Sequence, residues 1–209
     1  MSAPEVVIVD YGIGNLHSVA KALRRAGSEP RISSDPQEVR RAERLVVPGV
    51  GAFADCMGCL AGADLDQPVV EFIGTGRPFF GICVGMQMLF GESLEFGTHK
   101  GLGVIPGRVE RLSEGGGLKV PHIGWNAIAP VQRKWEGTIL DGLPSGAMAY
   151  FVHSFAAVPD DESVRLADAL YGENRICAAV QIENVWGTQF HPEKSGDLGL
   201  SILSRFLAA

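Results

Sequence analysis

Apolar and polar positions fall in blocks along this chain, and the block lengths predict strands and helices taking turns. Residues 6–9 form a short apolar run that predicts a buried strand, followed by a Gly-rich turn. Asn15 can then cap a helix in which Leu16, Val19, Ala20 and Leu23 share one face, and Gly27 can end it. Asp35-Pro36 can open a second helix, with Pro36 at the first helical position. Residues 45–47 predict the next strand, 53–61 and 66–73 two further helices, 79–82 a buried strand, and 86–90 a helix-forming run. The second half is richer in strands, expected at 104–112, 123–129, 148–151, 164–170, 176–182 and 185–190, before a last helix at 198–207. This order predicts a three-layer α/β sandwich with a mainly parallel central sheet and an antiparallel extension in the second half. There is no internal repeat and no long linker, and Gly115-Gly-Gly117 is the one flexible-looking loop. At 209 residues, against a rule of about 150 per domain, residues 1–209 are expected to form one domain.

Chemistry enters where the 79–82 strand ends. Cys83 stands at the switch from strand to helix, with Gly81 and Gly85 two places to either side. That is the layout of a nucleophile elbow carrying sulfur in place of the usual serine hydroxyl. A sharp strand-to-helix turn forces its central residue into a strained backbone conformation and sets the sulfur at a helix N-terminus, where the dipole favours an anion. A free thiol is only a few per cent thiolate near neutral pH, so such a site needs a base. The candidate lies more than a hundred residues downstream, in Gly187-Thr-Gln-Phe-His-Pro-Glu-Lys-Ser-Gly196. The short 185–190 strand delivers His191 at its end, Pro192 fixes the chain direction, and Glu193 can turn back to orient the imidazole. Cys83, His191 and Glu193 are thus a candidate nucleophile, base and orienter.

Composition removes several classes. A net charge of −6 argues against nonspecific nucleic-acid binding. No apolar run approaches the ~20 residues of a membrane span. The N-terminus passes straight into a strand with no basic region or cleavage-like site, which predicts the cytosol, where the four cysteines should stay reduced. Cys56 and Cys59 form a Cys-x-x-Cys, but inside a probable helix and without further ligands nearby, so neither a redox pair nor a zinc site is expected. Gly12-Ile-Gly14 follows a strand as a dinucleotide fingerprint would, yet the third glycine position is His17, and nucleotide binding is not expected.

The elbow and the His-Pro-Glu motif together resemble the class I, triad-type glutamine amidotransferases, whose fold is a flavodoxin-like α/β sandwich. Asp10-Tyr-Gly-Ile-Gly-Asn15, Pro48-Gly-Val-Gly-Ala-Phe53 and Pro121-His-Ile-Gly-Trp-Asn126 are similar to one family in that class, the glutaminase subunit of imidazole glycerol phosphate synthase. The resemblance runs from residue 6 to about residue 206. It implies hydrolysis of L-glutamine to glutamate and ammonia through a thioester on Cys83, with no metal or organic cofactor. It implies oxyanion donors at the Val50 and Val84 amides, and contacts to the glutamine α-amino and α-carboxylate groups from Gly51, Gln87, Glu95, Ser154 and Phe155. It also implies a heterodimer with a (β/α)₈-barrel cyclase subunit, met by Asn15, Pro121, His122, Trp125 and Asn126. Other triad amidotransferases, such as an anthranilate synthase subunit, fit the residues around Pro121 and Lys194-Ser195 less well. A binding-only relative should have lost part of the triad, and a cysteine peptidase would be separated by an assay on glutamine against peptides.

Overall fold

A computed structural model describes residues 4–131 and 134–209. In chain order the first half runs β1 (Glu5–Val9), α1 (Leu16–Arg25), β2 (Glu29–Ser33), α2 (Pro36–Arg41), β3 (Leu45–Gly49), α3 (Phe53–Gly62), α4 (Asp66–Ile73), β4 (Phe79–Cys83) and α5 (Val84–Gln87). The second half runs β5 (Phe90–Ser93), β6 (His99–Lys100), β7 (Ile105–Arg111), β8 (His122–Pro130), β9 (Ala147–His153), β10 (Phe155–Pro159), β11 (Arg165–Tyr171), β12 (Asn174–Ile182), β13 (Val185–Thr188) and α6 (Gly196–Ala208).

Among the described residues the main sheet has nine strands in the order β2-β1-β3-β4-β13-β12-β11-β8-β9. Pairings from β2 through β13 are parallel. Those from β13 out to β9 are antiparallel. The sheet is therefore mixed, with the expected antiparallel extension forming its second half. The chain steps from β1 to β2 in one direction and from β2 to β3 in the other. Right-handed crossovers then put α1 and α2 on opposite faces, and α3 and α4 on the face of α2. Packing of α1 beside α6, and of α2 and α3 against α4, agrees with this.

Helix ends follow local chemistry. Asp35 accepts a hydrogen bond from the Gln37 amide at 2.8 Å and caps α2. Gly27 (φ +104°) ends α1, with Gly27 N–H on Arg24 O and Ser28 N–H on Leu23 O, a Schellman closure. Asn15 occupies the first cap of α1, but its side chain makes no capping bond.

The structure departs from the expected elements in three places. Phe90 leaves the helix, which ends at Gln87, and opens β5 instead. The edge strand β2 was not expected, because Glu-Pro-Arg-Ile-Ser buries only part of one face. A second sheet, β10-β7-β5-β6, packs beside the first and was not expected either.

Candidate active site

The site forms at the carboxyl ends of three parallel strands. Sheet register pairs Gly49 of β3 with Cys83 of β4, and Ile82 of β4 with Thr188 of β13. Three loops therefore meet there, as ligand sites do at the carboxyl edge of α/β sheets. Cys83 sits at φ +56°, ψ −112°, a conformation rarely adopted by a residue with a side chain, and one held here by the packing around it. The flanking glycines make the packing possible. A Cβ on Gly81 would lie 2.6 Å from Gly85 O, and one on Gly85 would overlap the Val47 carbonyl oxygen.

The base is fixed by backbone and side-chain bonds together. His191 N–H donates to Tyr150 O at 3.0 Å. Ser195 Oγ donates to His191 O at 2.7 Å and accepts from Tyr150 N–H at 3.0 Å, locking the turn that carries the ring. His191 Nδ1 meets Glu193 Oε1 at 2.8 Å, and both side chains are buried. The other ring nitrogen, Nε2, is buried with no partner at ordinary hydrogen-bond distance. Burial alone would lower the proton affinity of His191. The Cys83 sulfur and the Glu193 carboxylate outweigh it and raise the ring to about 9. With Nδ1 held by Glu193, Nε2 is the ring nitrogen left open to take up a proton.

The three triad residues lie beside one cleft of about 270 Å³, with Cys83 and His191 in its wall. Val50 and Val84, whose positions carry the expected oxyanion donors, line it too, as does Gly51. Gln87, Glu95, Ser154 and Phe155 line it as well, so the expected substrate contacts converge. Glu95 is not a solvated helix-end charge. It lies in the turn after β5 and accepts from Phe53 N–H at 2.6 Å, satisfying a free amide at the start of α3. Of the expected partner-facing residues, Trp125 is 54% exposed and Pro121 is exposed at the rim of the cleft. Asn15 is half-buried. Asn126 is half-buried too and donates to Leu170 O at 2.9 Å. His122 departs from expectation. It is 3% exposed, stacked on Tyr171 and Phe151, with Nδ1 3.1 Å from His153 Nε2.

Two further side chains bond to the backbone of the 48–51 segment. Tyr11 Oη donates to Pro48 O at 2.6 Å, and burial drives its phenol far up, so it stays a donor. Cys56, half of the Cys-x-x-Cys, donates its thiol to Val50 O at 3.3 Å; burial pushes it up to about 11. Cys56 is buried and Cys59 exposed, both free.

Residues 7–209 match the glutamine amidotransferase class-I family. The chain is 51% identical over 206 residues to the imidazole glycerol phosphate synthase subunit HisH of Syntrophotalea carbinolica, covering 96% of this chain and 98% of that one. This chain is a class-I glutamine amidotransferase of the HisH family. HisH of Geobacter metallireducens is 49% identical, covering 96% of each chain. The fold likeness extends further. A crystal structure of a glutamine amidotransferase superposes with TM-score 0.74 at 21% identity, over 97% of this chain and 99% of that one. PurLQS from Thermotoga maritima does so with TM-score 0.74 at 20% identity, over 99% and 98%.

Removing the base should cost more than removing its orienter. In a serine triad, loss of the histidine costs ~10⁶ in kcat and loss of the carboxylate ~10⁴. His191→Ala is expected to bring glutamate release near background, and Glu193→Gln to leave roughly tenfold to a hundredfold more. The Glu193 carboxylate helps hold the ring near 9, so Glu193→Gln should also move the His191 titration to lower pH. A pH profile of kcat/KM for both variants checks this; equal losses with an unmoved profile would contradict the base-and-orienter assignment.

Proposed function

We propose that this chain, acting as one amidotransferase domain over 1–209, hydrolyses L-glutamine and hands the ammonia to a (β/α)₈-barrel cyclase subunit. That partner makes imidazole glycerol phosphate and aminoimidazole carboxamide ribotide in histidine biosynthesis. The observation that carries the reading is the convergence of a strained Cys83, a buried His191–Glu193 pair and the Gln87–Glu95–Phe155 wall on one cleft. Relatives named HisH, about half identical along nearly the whole chain, support the same reading.

The chemistry follows from the geometry. The Cys83 proton moves to His191 Nε2, the nitrogen not engaged by Glu193, and the sulfur attacks the side-chain amide carbon of glutamine. Negative charge grows on the amide oxygen, where the Val50 and Val84 amides are proposed to donate. Breakdown takes the proton from His191 to the leaving nitrogen and releases ammonia, leaving a thioester. Water, deprotonated by the same imidazole, hydrolyses it to glutamate and restores the thiol. Ammonia released into bulk water would become ammonium and cease to be a nucleophile, so a receiving site has to lie close by. The β8–β9 edge fits that need. Ile123 (61% exposed), Trp125 and Met148 (47%) present apolar side chains there, and Pro121 leads from this edge into the cleft. Four unpaired thiols accord with a reducing cytosol. No described helix is long and apolar enough to cross a membrane.

Co-purification with a (β/α)₈-barrel cyclase subunit and measured glutamate release test the proposal. Glutamine should be cleaved and peptides should not. Peptide cleavage without glutamine turnover would move the chain to the cysteine peptidases.

A further inference from the structure

Gln189 lies inside the motif that delivers His191, is completely buried, and takes no part in the mechanism above. Its orientation is fixed by a chain of hydrogen bonds that starts at a backbone carbonyl. Phe155 O can only accept, so Gln87 must turn its amide nitrogen toward it, at 2.9 Å. His153 Nδ1 shares that carbonyl at 2.9 Å and must also donate. The second proton on Gln87 Nε2 goes to Gln189 Oε1, again at 2.9 Å. With its oxygen claimed by Gln87, Gln189 has only its amide nitrogen left to point the other way. That nitrogen lies 3.7 Å from Cys83 Sγ.

We propose that Gln189 is a catalytic residue of this site: its amide N–H donates to the Cys83 sulfur, favouring the anionic nucleophile and aiming it. A hydrogen bond to the charged form of a group stabilises that form, and bonds to an ion are about twice as strong as neutral ones. His191 removes the proton, and Gln189 holds the charge that remains. A corollary, which rests on the glutaminase reading, concerns Gln87. Both of its amide protons are used, so its oxygen is what it can offer to substrate. An acceptor at that place suits the α-ammonium of an amino acid and not its carboxylate.

The test uses the full-length chain in a Cys59→Ser background, which removes the one exposed thiol. Iodoacetamide labelling of Cys83 is followed across pH, with no glutamine present. Gln189→Met keeps the volume and removes the donor. It is expected to slow labelling at pH 7 about tenfold and to move the half-maximal rate up by about one pH unit, the size of one charge-assisted hydrogen bond. Gln189→Glu keeps the oxygen that Gln87 requires and replaces the donor with a second oxygen, so labelling should slow at least as much. The carboxylate also sets negative charge beside the sulfur, so slowing in the Glu variant alone reports that charge and overturns the proposal as well. Slowing in the Met variant alone, or rates within twofold of the parent in both, overturns the proposal. Labelling needs no substrate, so a failed glutaminase assay alongside shifted profiles would count against the glutamine reading alone.

Discussion

Replacing Cys83 with alanine is expected to abolish glutamine hydrolysis while leaving the complex able to make product from added ammonium salts. The thiol bonded to Val50 O cannot take over the attack. The Cys56 thiol is buried and bonded to Val50 O, and burial pushes it up to about 11, so it stays protonated. Loss of the nucleophile from a triad costs ~10⁶ in kcat, which puts residual glutamate release at background. The fold should survive, since losing one buried sulfur costs about 1 kcal/mol. Glycine neighbours, not the thiol, make room for the elbow: Gly81 and Gly85 lie against backbone on both sides. Under the proposed function, synthesis from ammonium bypasses the cleft, because the cyclase centre would lie on the proposed partner. Glutamate release and product formation, measured on the same preparation of complex, separate the two activities. Glutamine-dependent turnover above a few per cent of the parent would sink the assignment of Cys83.

What could be read from the chain depended on how local its cause was. The 66–73 helix matches at both ends, and β1 and β4 appear where continuous apolar runs placed them. The strained turn at Cys83 and the pairing of His191 with Glu193 were legible because each motif sets its own local geometry within a few residues. β2 was missed because an edge strand buries little, and Pro30 interrupts it. Phe90, the first residue of β5, was taken for helix because it continues an apolar run from Met86, and pairing with β7 and β6 makes this segment a strand. Residues that act across the fold left no local signal. Tyr11 reaches Pro48 over 37 positions, Ser195 reaches Tyr150 over 45, and Gln189 reaches Cys83 over 106. One hint was available for Gln189. In extended chain, residues two apart point the same way, so a polar residue two places before the base faces the same site.

The chain alone is expected to hydrolyse glutamine very slowly, and cyclase carrying its ligand should accelerate it at least a hundredfold. A free glutaminase would consume glutamine with no acceptor for the ammonia, and the Pro48–Gly51 segment has the build of a switch. Pro48 O is pinned by Tyr11 at 2.6 Å and Val50 O by Cys56 at 3.3 Å. The Gly49–Val50 peptide lies between those two anchors, with Gly49 on one side and Gly51, at φ +87°, one residue beyond Val50. Such a peptide can rotate with little movement of its neighbours, and only one orientation aims the Val50 N–H at the oxyanion. Losing one oxyanion donor is worth ~2.7–4 kcal/mol, or ~10²–10³ in rate. A hundredfold activation therefore requires the competent orientation to be ~1% populated in the free chain and nearly fully populated in the complex, a differential affinity of roughly 5.5 kcal/mol for the two states. Pro121 lines the same cleft and opens toward exposed Trp125, so a partner seated on that edge would touch the wall facing the switch. Steady-state glutamate release should be compared for the chain alone, the complex, and the complex with cyclase ligand. Equal rates in all three would remove the switch and leave a constitutive glutaminase.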